Sequence, residues 1–378
     1  MTIKVFLRLG RRPHQAYYSL IDCPPKGIDF VYDKIIRYPE VDTEIQSRFH
    51  KFKVSLFEFV TKHYPVPLHI DPRGCDLIYS TNGMILDNSS HWVISVEDFF
   101  SLTRYLYTSQ KHLHFVTKSL EHKNCRRILP WSDASYYSLI NSTKSKIIEE
   151  KSVVSYTVKE TTKIEQKKKR KDKLGLVFGA RNFYHKGGIA ALKVFDRLNK
   201  KYDVTLDFWG DVPEHLLKKY SNENVTFHLP GSDQSGFFKS YQKADIFLYP
   251  TNLDSYGLVI LDSYNAQTPV VSSNVFGLKE LVEKGKGGLL VNHPARSHDE
   301  NYLTSPERIE RALKFCMNPS ESFLNDVYDK TEELILNSKL RRRLGKNGRD
   351  AVTGSGIFSV KTRNEKIKKI FEDAVSPS

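Results

Sequence analysis

Hydrophobic positions in the second half of the chain arrive in short, nearly unbroken runs. Leu174-Gly-Leu-Val-Phe178 ends at Gly179, and Val204-Thr-Leu-Asp-Phe-Trp209 ends at Gly210-Asp211. Val225-Thr-Phe227, Ile246-Phe-Leu-Tyr249, Pro269-Val-Val-Ser272 and Gly288-Leu-Leu-Val291 follow. Such runs suit strands covered on both faces, as in a parallel sheet. Between the first two, Ile189, Leu192, Val194, Phe195 and Leu198 fall at helical spacing. Further helices are expected over residues 236–243 and 258–266. Alternating strand and helix predicts an α/β unit with helices on both faces of a parallel sheet.

The first half is less regular. Residues 4–9, 28–32, 77–79, 92–96, 114–116 and 127–129 read as strands, and 43–63 and 97–108 as helices. This too is an α/β pattern. From about residue 304 the pattern is wholly helical, and 359–374 carries lysines on one face. No repeat at solenoid spacing occurs.

A chain of 378 residues is long for one core, and two domains are expected. The run Lys163-Ile-Glu-Gln-Lys-Lys-Lys-Arg-Lys-Asp-Lys173 repels itself and cannot enter a core, so it marks a linker. The expected organisation is a Rossmann-like domain over 1–160, a basic linker over 161–173, a second Rossmann-like domain over 174–355, and a terminal helix over 356–378 that packs back on the first domain.

Composition narrows the picture. No stretch reaches the roughly 18–20 apolar residues that span a bilayer, and the first residues turn charged too quickly for a signal peptide. The four cysteines, Cys23, Cys75, Cys125 and Cys316, form no C-x-x-C pair, which argues against a disulfide framework or a zinc site. A cytoplasmic setting is expected. The net charge of +14 favours anionic partners without choosing among them. A nucleic-acid partner is disfavoured, because no aromatic residues interleave with the lysine run and no nucleic-acid module is recognisable.

In open parallel sheets, ligands bind beyond the carboxyl ends of the strands. Three groups of residues follow strands there. The first is Gly179-Ala-Arg181-Asn-Phe-Tyr-His-Lys186-Gly187-Gly188, in which two cations flank a helix start, a phosphate cradle in outline. An ordinary strand–turn–helix with surface cations explains it equally well. The second is Pro250-Thr-Asn-Leu-Asp254-Ser-Tyr256-Gly257-Leu258-Val-Ile-Leu-Asp262. Two carboxylates there bracket a helix start; alone, they read as a helix cap and a solvated helix residue. The third is Thr268-Pro-Val-Val-Ser-Ser-Asn-Val-Phe-Gly277-Leu-Lys-Glu280-Leu, which alone is fold punctuation. No D-x-D and no H-E-x-x-H metal motif is present.

Taken in order, these groups resemble the C-terminal domain of the retaining GT-B glycosyltransferases of family 4, the glycosyl transferases group 1. The resemblance runs over about 174–293. Arg181 and Lys186-Gly187 match the family's diphosphate-binding spacing, with Ala180 where glycine is usual. Asp254-Ser-Tyr-Gly-Leu-Val-Ile-Leu-Asp262 matches its E-x7-E element, with the shorter acid at both ends. Ala266-Gln-Thr-Pro269-Val-Val and Glu280-Leu-Val-Glu-Lys-Gly285-Lys-Gly-Gly288-Leu-Leu-Val291 match the segments that follow.

The resemblance implies a GT-B fold, two Rossmann-like domains facing a central cleft. It implies a UDP- or GDP-sugar donor, no tightly bound cofactor, no required metal, and transfer with retention. Arg181 and Lys186 would grip the donor diphosphate with the amides of Tyr256, Gly257 and Leu258. Asp262 would take the ribose hydroxyls and Asp254 the transferred sugar. Gly179, Gly187 and Gly210 would let backbone approach the donor. Glu97 and Asp98, after the strand Trp92–Val96, match the place of a His-Asp pair near the transferred sugar, and otherwise read as a helix start. The loop Leu9-Gly10-Arg11-Arg12-Pro13 would lie at the cleft edge. A glycan or lipid-linked acceptor is expected, and the lysines suit an anionic membrane surface on its cytoplasmic face. The alternatives are a catalytically weakened nucleotide-sugar-binding protein and, lower, a basic nucleic-acid-binding protein.

Overall fold

The computed structural model describes residues 2–10, 13–37, 67–103, 110–162, 164, 173–229 and 235–376. The chain forms two compact units, one of residues 1–157 with 363–378, the other of residues 158–362. Arg11, Arg12, the helix expected at 43–63 and most of the lysine run lie outside the described residues.

The second unit is a six-stranded parallel sheet. Its strands are β6 (Leu174–Ala180), β7 (Val204–Gly210), β8 (Val225–His228), β9 (Ile246–Tyr249), β10 (Val270–Ser273) and β11 (Gly288–Val291). Their order is β11-β10-β9-β6-β7-β8. β6 therefore lies between β7 and β9, and the chain reverses its direction of travel across the sheet at the β6–β9 boundary. β9 and β10 are buried at every position, which explains their legibility as apolar runs. Helix Gly188–Asn199 buries Ala190, Ala191, Leu192, Val194, Phe195 and Leu198. Four helices follow Ser305: Pro306–Met317, Glu321–Leu336, Ser338–Val352 and Val360–Val375. Tyr264, on helix Leu258–Asn265, is fully buried. A Cβ on Gly285, Gly287 or Gly348 would meet its ring at 2.6, 2.3 and 2.5 Å, so three glycines make room for one ring that ties three helices together.

The first unit has a five-stranded parallel sheet of β1 (Ile3–Arg8), β2 (Ile28–Val31), β3 (Leu77–Ser80), β4 (Trp92–Val96) and β5 (Cys125–Pro130), in the order β2-β1-β3-β4-β5. Two expectations fail here. Residues 114–116, read as a strand, lie inside helix Gln110–Glu121. A local His-Phe-Val run imitates a strand, but His112, Val116 and Leu120 are buried at four-residue spacing, and that longer period decides. The helix expected over 97–108 is a 3-10 turn, Phe99–Thr103, and residues 104–109 lie outside the described set. Helices Asp133–Thr143, Lys146–Lys151 and Glu214–Tyr220 were not legible in the pattern.

Helix Val360–Val375 belongs largely to this first unit. It buries Ile367, Ile370, Phe371 and Ala374. The Phe371 ring meets Tyr79 and Phe30 edge-on at 5.5 and 6.2 Å. Arg363 is 4% exposed and donates to the Ser19 carbonyl at 2.9 Å, the Ser19 hydroxyl at 3.2 Å and the Cys23 carbonyl at 3.4 Å. Burial lowers its pKa to about 10, so it stays charged at neutral pH. Replacing Arg363 by Leu removes these hydrogen bonds, while the Cys23 carbonyl keeps the Asn364 side-chain amide at 3.0 Å and the Ser19 carbonyl keeps the Cys23 amide at 3.1 Å, so the loss is about 1–3 kcal/mol in all. The melting temperature should fall by several degrees in calorimetry, and an unchanged transition would show that the helix docks without this anchor.

Candidate functional site

Two loops at the carboxyl end of the second sheet are stitched together. After β6, the turn 182–187 closes on itself, with the Lys186 amide donating to the Asn182 carbonyl at 3.0 Å and the Gly188 amide to Phe183 at 2.8 Å. Gly187 precedes helix Gly188–Asn199 with φ 81, a conformation that disfavours any side chain. A Cβ there would also sit 1.9 Å from the Pro250 carbonyl oxygen. The loop after β9 can therefore lie directly against this turn. Its Asn252 and Leu253 amides donate to the His185 carbonyl at 2.8 and 3.0 Å, and Asn252 Nδ2 donates to the Tyr184 carbonyl at 2.9 Å.

This contact brings Lys186 to Asp254. Lys186 Nζ lies 2.9 Å from Asp254 Oδ2 and 2.9 Å from the Leu253 carbonyl. The Tyr249 hydroxyl donates to the same carboxylate oxygen at 2.7 Å, and the Tyr256 amide reaches Oδ1 at 3.4 Å. Burial alone would raise the Asp254 pKa. Lys186, the Tyr249 hydroxyl and the Tyr256 amide outweigh it, and the carboxyl is held below its ordinary value. The pair is the electrostatic centre of this edge of the sheet.

Gly257 precedes helix Leu258–Asn265 with φ 87, and its carbonyl accepts from the Ile260 amide at 2.8 Å, so the helix starts at this same edge. The loop after β10 joins here, with the Gly277 amide donating to the Ser255 carbonyl at 3.2 Å. Glu280, in the first turn of helix Gly277–Gly285, is buried and pairs with Lys284 at 3.5 Å. Asp262, farther along helix Leu258–Asn265, pairs with Lys159 at 2.5 Å. Its pKa is raised, because burial exceeds what Lys159 offsets.

The other expected residues fall as follows. Arg181 is exposed immediately beyond β6. Gly179 faces inward, where a Cβ would strike the Phe237 ring at 2.1 Å, so it serves packing as well as any ligand. Gly210 ends β7 against the Ala180 carbonyl, 2.5 Å from where a Cβ would stand. Glu97 and Asp98 belong to the first unit. Asp98 Oδ1 accepts from the Ser101 amide at 2.7 Å and caps the 3-10 turn, while the Glu97 carbonyl accepts from the Ser135 hydroxyl at 2.5 Å. Burial first, and the Glu97 charge second, raise the Asp98 carboxyl to about 7.

Sequence reasoning missed four residues. Tyr249 ends a strand read only for its apolar run. Asn252 and His293 join at 2.9 Å across 41 positions, and nothing local marks that. His293 is buried beside Phe315 and Phe323, and burial lowers its pKa to about 3, so it is neutral. Lys159 lies 103 positions from its partner.

Two parallel sheets with flanking helices and a loop cluster at a topological switch point define the GT-B fold. Residues 159–303 match the family described as glycosyl transferases group 1. A D-inositol 3-phosphate glycosyltransferase from Paenarthrobacter aurescens is 27% identical over 168 residues, 41% of this chain and 41% of that relative. The chain thus spans about two fifths of that relative's length in the alignment. In three dimensions the chain is similar to HepE of Anabaena, solved in complex with UDP, at a TM-score of 0.62 and 14% identity over 98% of this chain and 100% of that one. Sucrose-phosphate synthase from Thermosynechococcus elongatus superposes equally well, at 0.62 and 14% identity over 98% of each chain.

The lowered Asp254 pKa has a stability consequence. The stabilisation from its pairing is fully present above the ordinary carboxylate value of about 4 and is lost as pH falls through the lower folded value. Asp254→Asn should be less stable at pH 7 by about 2 kcal/mol and should lose part of the acid-side decline below about pH 4. Melting curves of wild type and variant that run parallel across this range would refute the assignment.

Proposed function

We propose that the protein is a glycosyltransferase that moves a sugar from a nucleoside-diphosphate sugar to a hydroxyl group of a glycan or lipid-linked acceptor, with retention of anomeric configuration. The observation that carries this reading is the Lys186–Asp254 pair, 2.9 Å apart, held where the loops after β6 and β9 meet. It lies inside the segment that matches the glycosyl transferases group 1.

The chemistry follows from charge. As the sugar leaves, positive charge grows on its ring and negative charge on the diphosphate. Arg181, Lys186 and the amides of Tyr256, Gly257 and Leu258 stabilise the leaving diphosphate, which is where fixed dipoles act most strongly. Asp254, kept ionised by Lys186, accepts hydroxyls of the transferred sugar. Asp262 accepts from the ribose. Arg181 and Lys186 take the load that a metal carries elsewhere, and the donor is a UDP- or GDP-sugar. Glu97 and Asp98 act on the sugar side, with the raised Asp98 carboxyl able to carry a proton near neutral pH.

Lys361, Lys366 and Lys369 are exposed on helix Val360–Val375. They hold the protein on an anionic membrane surface at about 1 kcal/mol per cation. Co-sedimentation with phosphatidylglycerol vesicles should exceed that with phosphatidylcholine alone, and equal partition removes this part of the reading.

A panel of nucleotide sugars, assayed for release of free nucleoside diphosphate, tests the whole. Arg181→Ala and Lys186→Ala should each lower turnover about 100-fold or more, and excess EDTA should leave turnover intact. Near-normal turnover in both variants would sink the assignment. Binding of donors with no turnover on any acceptor would point to a nucleotide-sugar-binding protein instead.

A further inference from the structure

Asp262 meets a cation that no motif includes. Residues 158–162 form a strap without regular secondary structure along helix Leu258–Asn265. The Asn265 side chain fastens it as a neighbouring strand would. Its Oδ1 accepts from the Thr162 amide at 3.2 Å, and its Nδ2 donates to the Glu160 carbonyl at 3.2 Å. Arg349, on helix Ser338–Val352, clamps both partners, donating to the Asn265 carbonyl at 2.6 Å and the Thr162 carbonyl at 3.0 Å. One helical turn before Asn265 stands Asp262, and the strap delivers Lys159 to it, Nζ to Oδ2 at 2.5 Å. Both side chains are about four-fifths buried, at 21% and 19% exposure.

The pair differs chemically from a bare carboxylate. A lone carboxylate offers two acceptors to a vicinal diol. Here Oδ2 is engaged by Lys159, and Oδ1 carries no hydrogen bond among the described residues. The ammonium has three donor protons and spends one on Oδ2. The pair therefore presents one acceptor oxygen beside an ammonium with two donor protons left. A ribose fits it when one hydroxyl donates to Oδ1 and its neighbour accepts from Nζ.

We propose that Lys159 is a binding residue of the donor site, hydrogen-bonding a ribose hydroxyl of the nucleoside diphosphate alongside Asp262. This rests on the reading of the site as a nucleotide-sugar site. It also accounts for the aspartate where the resembling family has glutamate, because the long lysine stem supplies the reach that the shorter acid lacks.

Titration calorimetry on the full chain tests it, with UDP, GDP, their 2′-deoxy forms and inorganic pyrophosphate as probes. Lys159→Met should weaken the preferred nucleotide about tenfold or more, the loss of one charge-assisted hydrogen bond. It should shrink the preference for ribose over deoxyribose, leave pyrophosphate affinity unchanged, and recover in part in Lys159→Arg. Asp262 is faced by Lys159 and by the buried Tyr241 phenol, whose ionisation Asp262 opposes. Without the cation, burial acts on Asp262 unopposed, so nucleotide binding by Lys159→Met should weaken further as pH falls towards 5. Unchanged or tighter nucleotide binding in Lys159→Met overturns the inference. So does loss of pyrophosphate affinity in step with nucleotide, which would mark a structural role. A wild-type protein that binds none of the probes overturns the donor-site reading itself.

Discussion

Two loops of the second unit meet because Gly187 has no side chain. The Pro250 carbonyl occupies the space a Cβ would need, and the His185 carbonyl then accepts both following amides of the β9 loop. Without that contact Lys186 and Asp254 would stand on separate loops with nothing to hold them together. The ion pair across the two loops inherits its geometry from one missing methyl group.

The two acids of the matched element illustrate how neighbours set chemistry. Asp254 and Asp262 are both largely removed from water, yet their titrations move in opposite directions. Asp254 has an ammonium, a phenol and an amide, and together they exceed the burial penalty. Asp262 has one ammonium, which does not. Sequence spacing treats the two as equivalent ends of one motif; the surroundings make the first a fixed anion and the second an acid whose charge depends on a single lysine.

Much of the second unit was legible because strands buried on both faces leave continuous apolar runs, and the candidate residues directly follow those runs. β6, β7, β9, β10 and β11 all fall where the pattern puts them, within a residue or two. What was not legible was long-range. Strand order, the Asn252–His293 bond and the strap bearing Lys159 join positions tens to a hundred residues apart, with no local signature. In the first unit, the short His114–Val116 run misled because the helix that contains it is only modestly apolar, its burial resting on three residues spaced four apart.

The placement of residues 363–378 with the first unit means that this unit is discontinuous in sequence, while the second is one unbroken stretch. During synthesis the part made first is therefore the part completed last. β1 to β5 must wait, with Tyr79 and Phe30 lacking the Phe371 ring and the Ser19 and Cys23 carbonyls lacking Arg363, until the ribosome has passed the whole second unit. The second unit can close around its own core in the meantime. The second unit is thus the natural first folding unit, and the earlier-made half is the one exposed longest to chaperones and proteases.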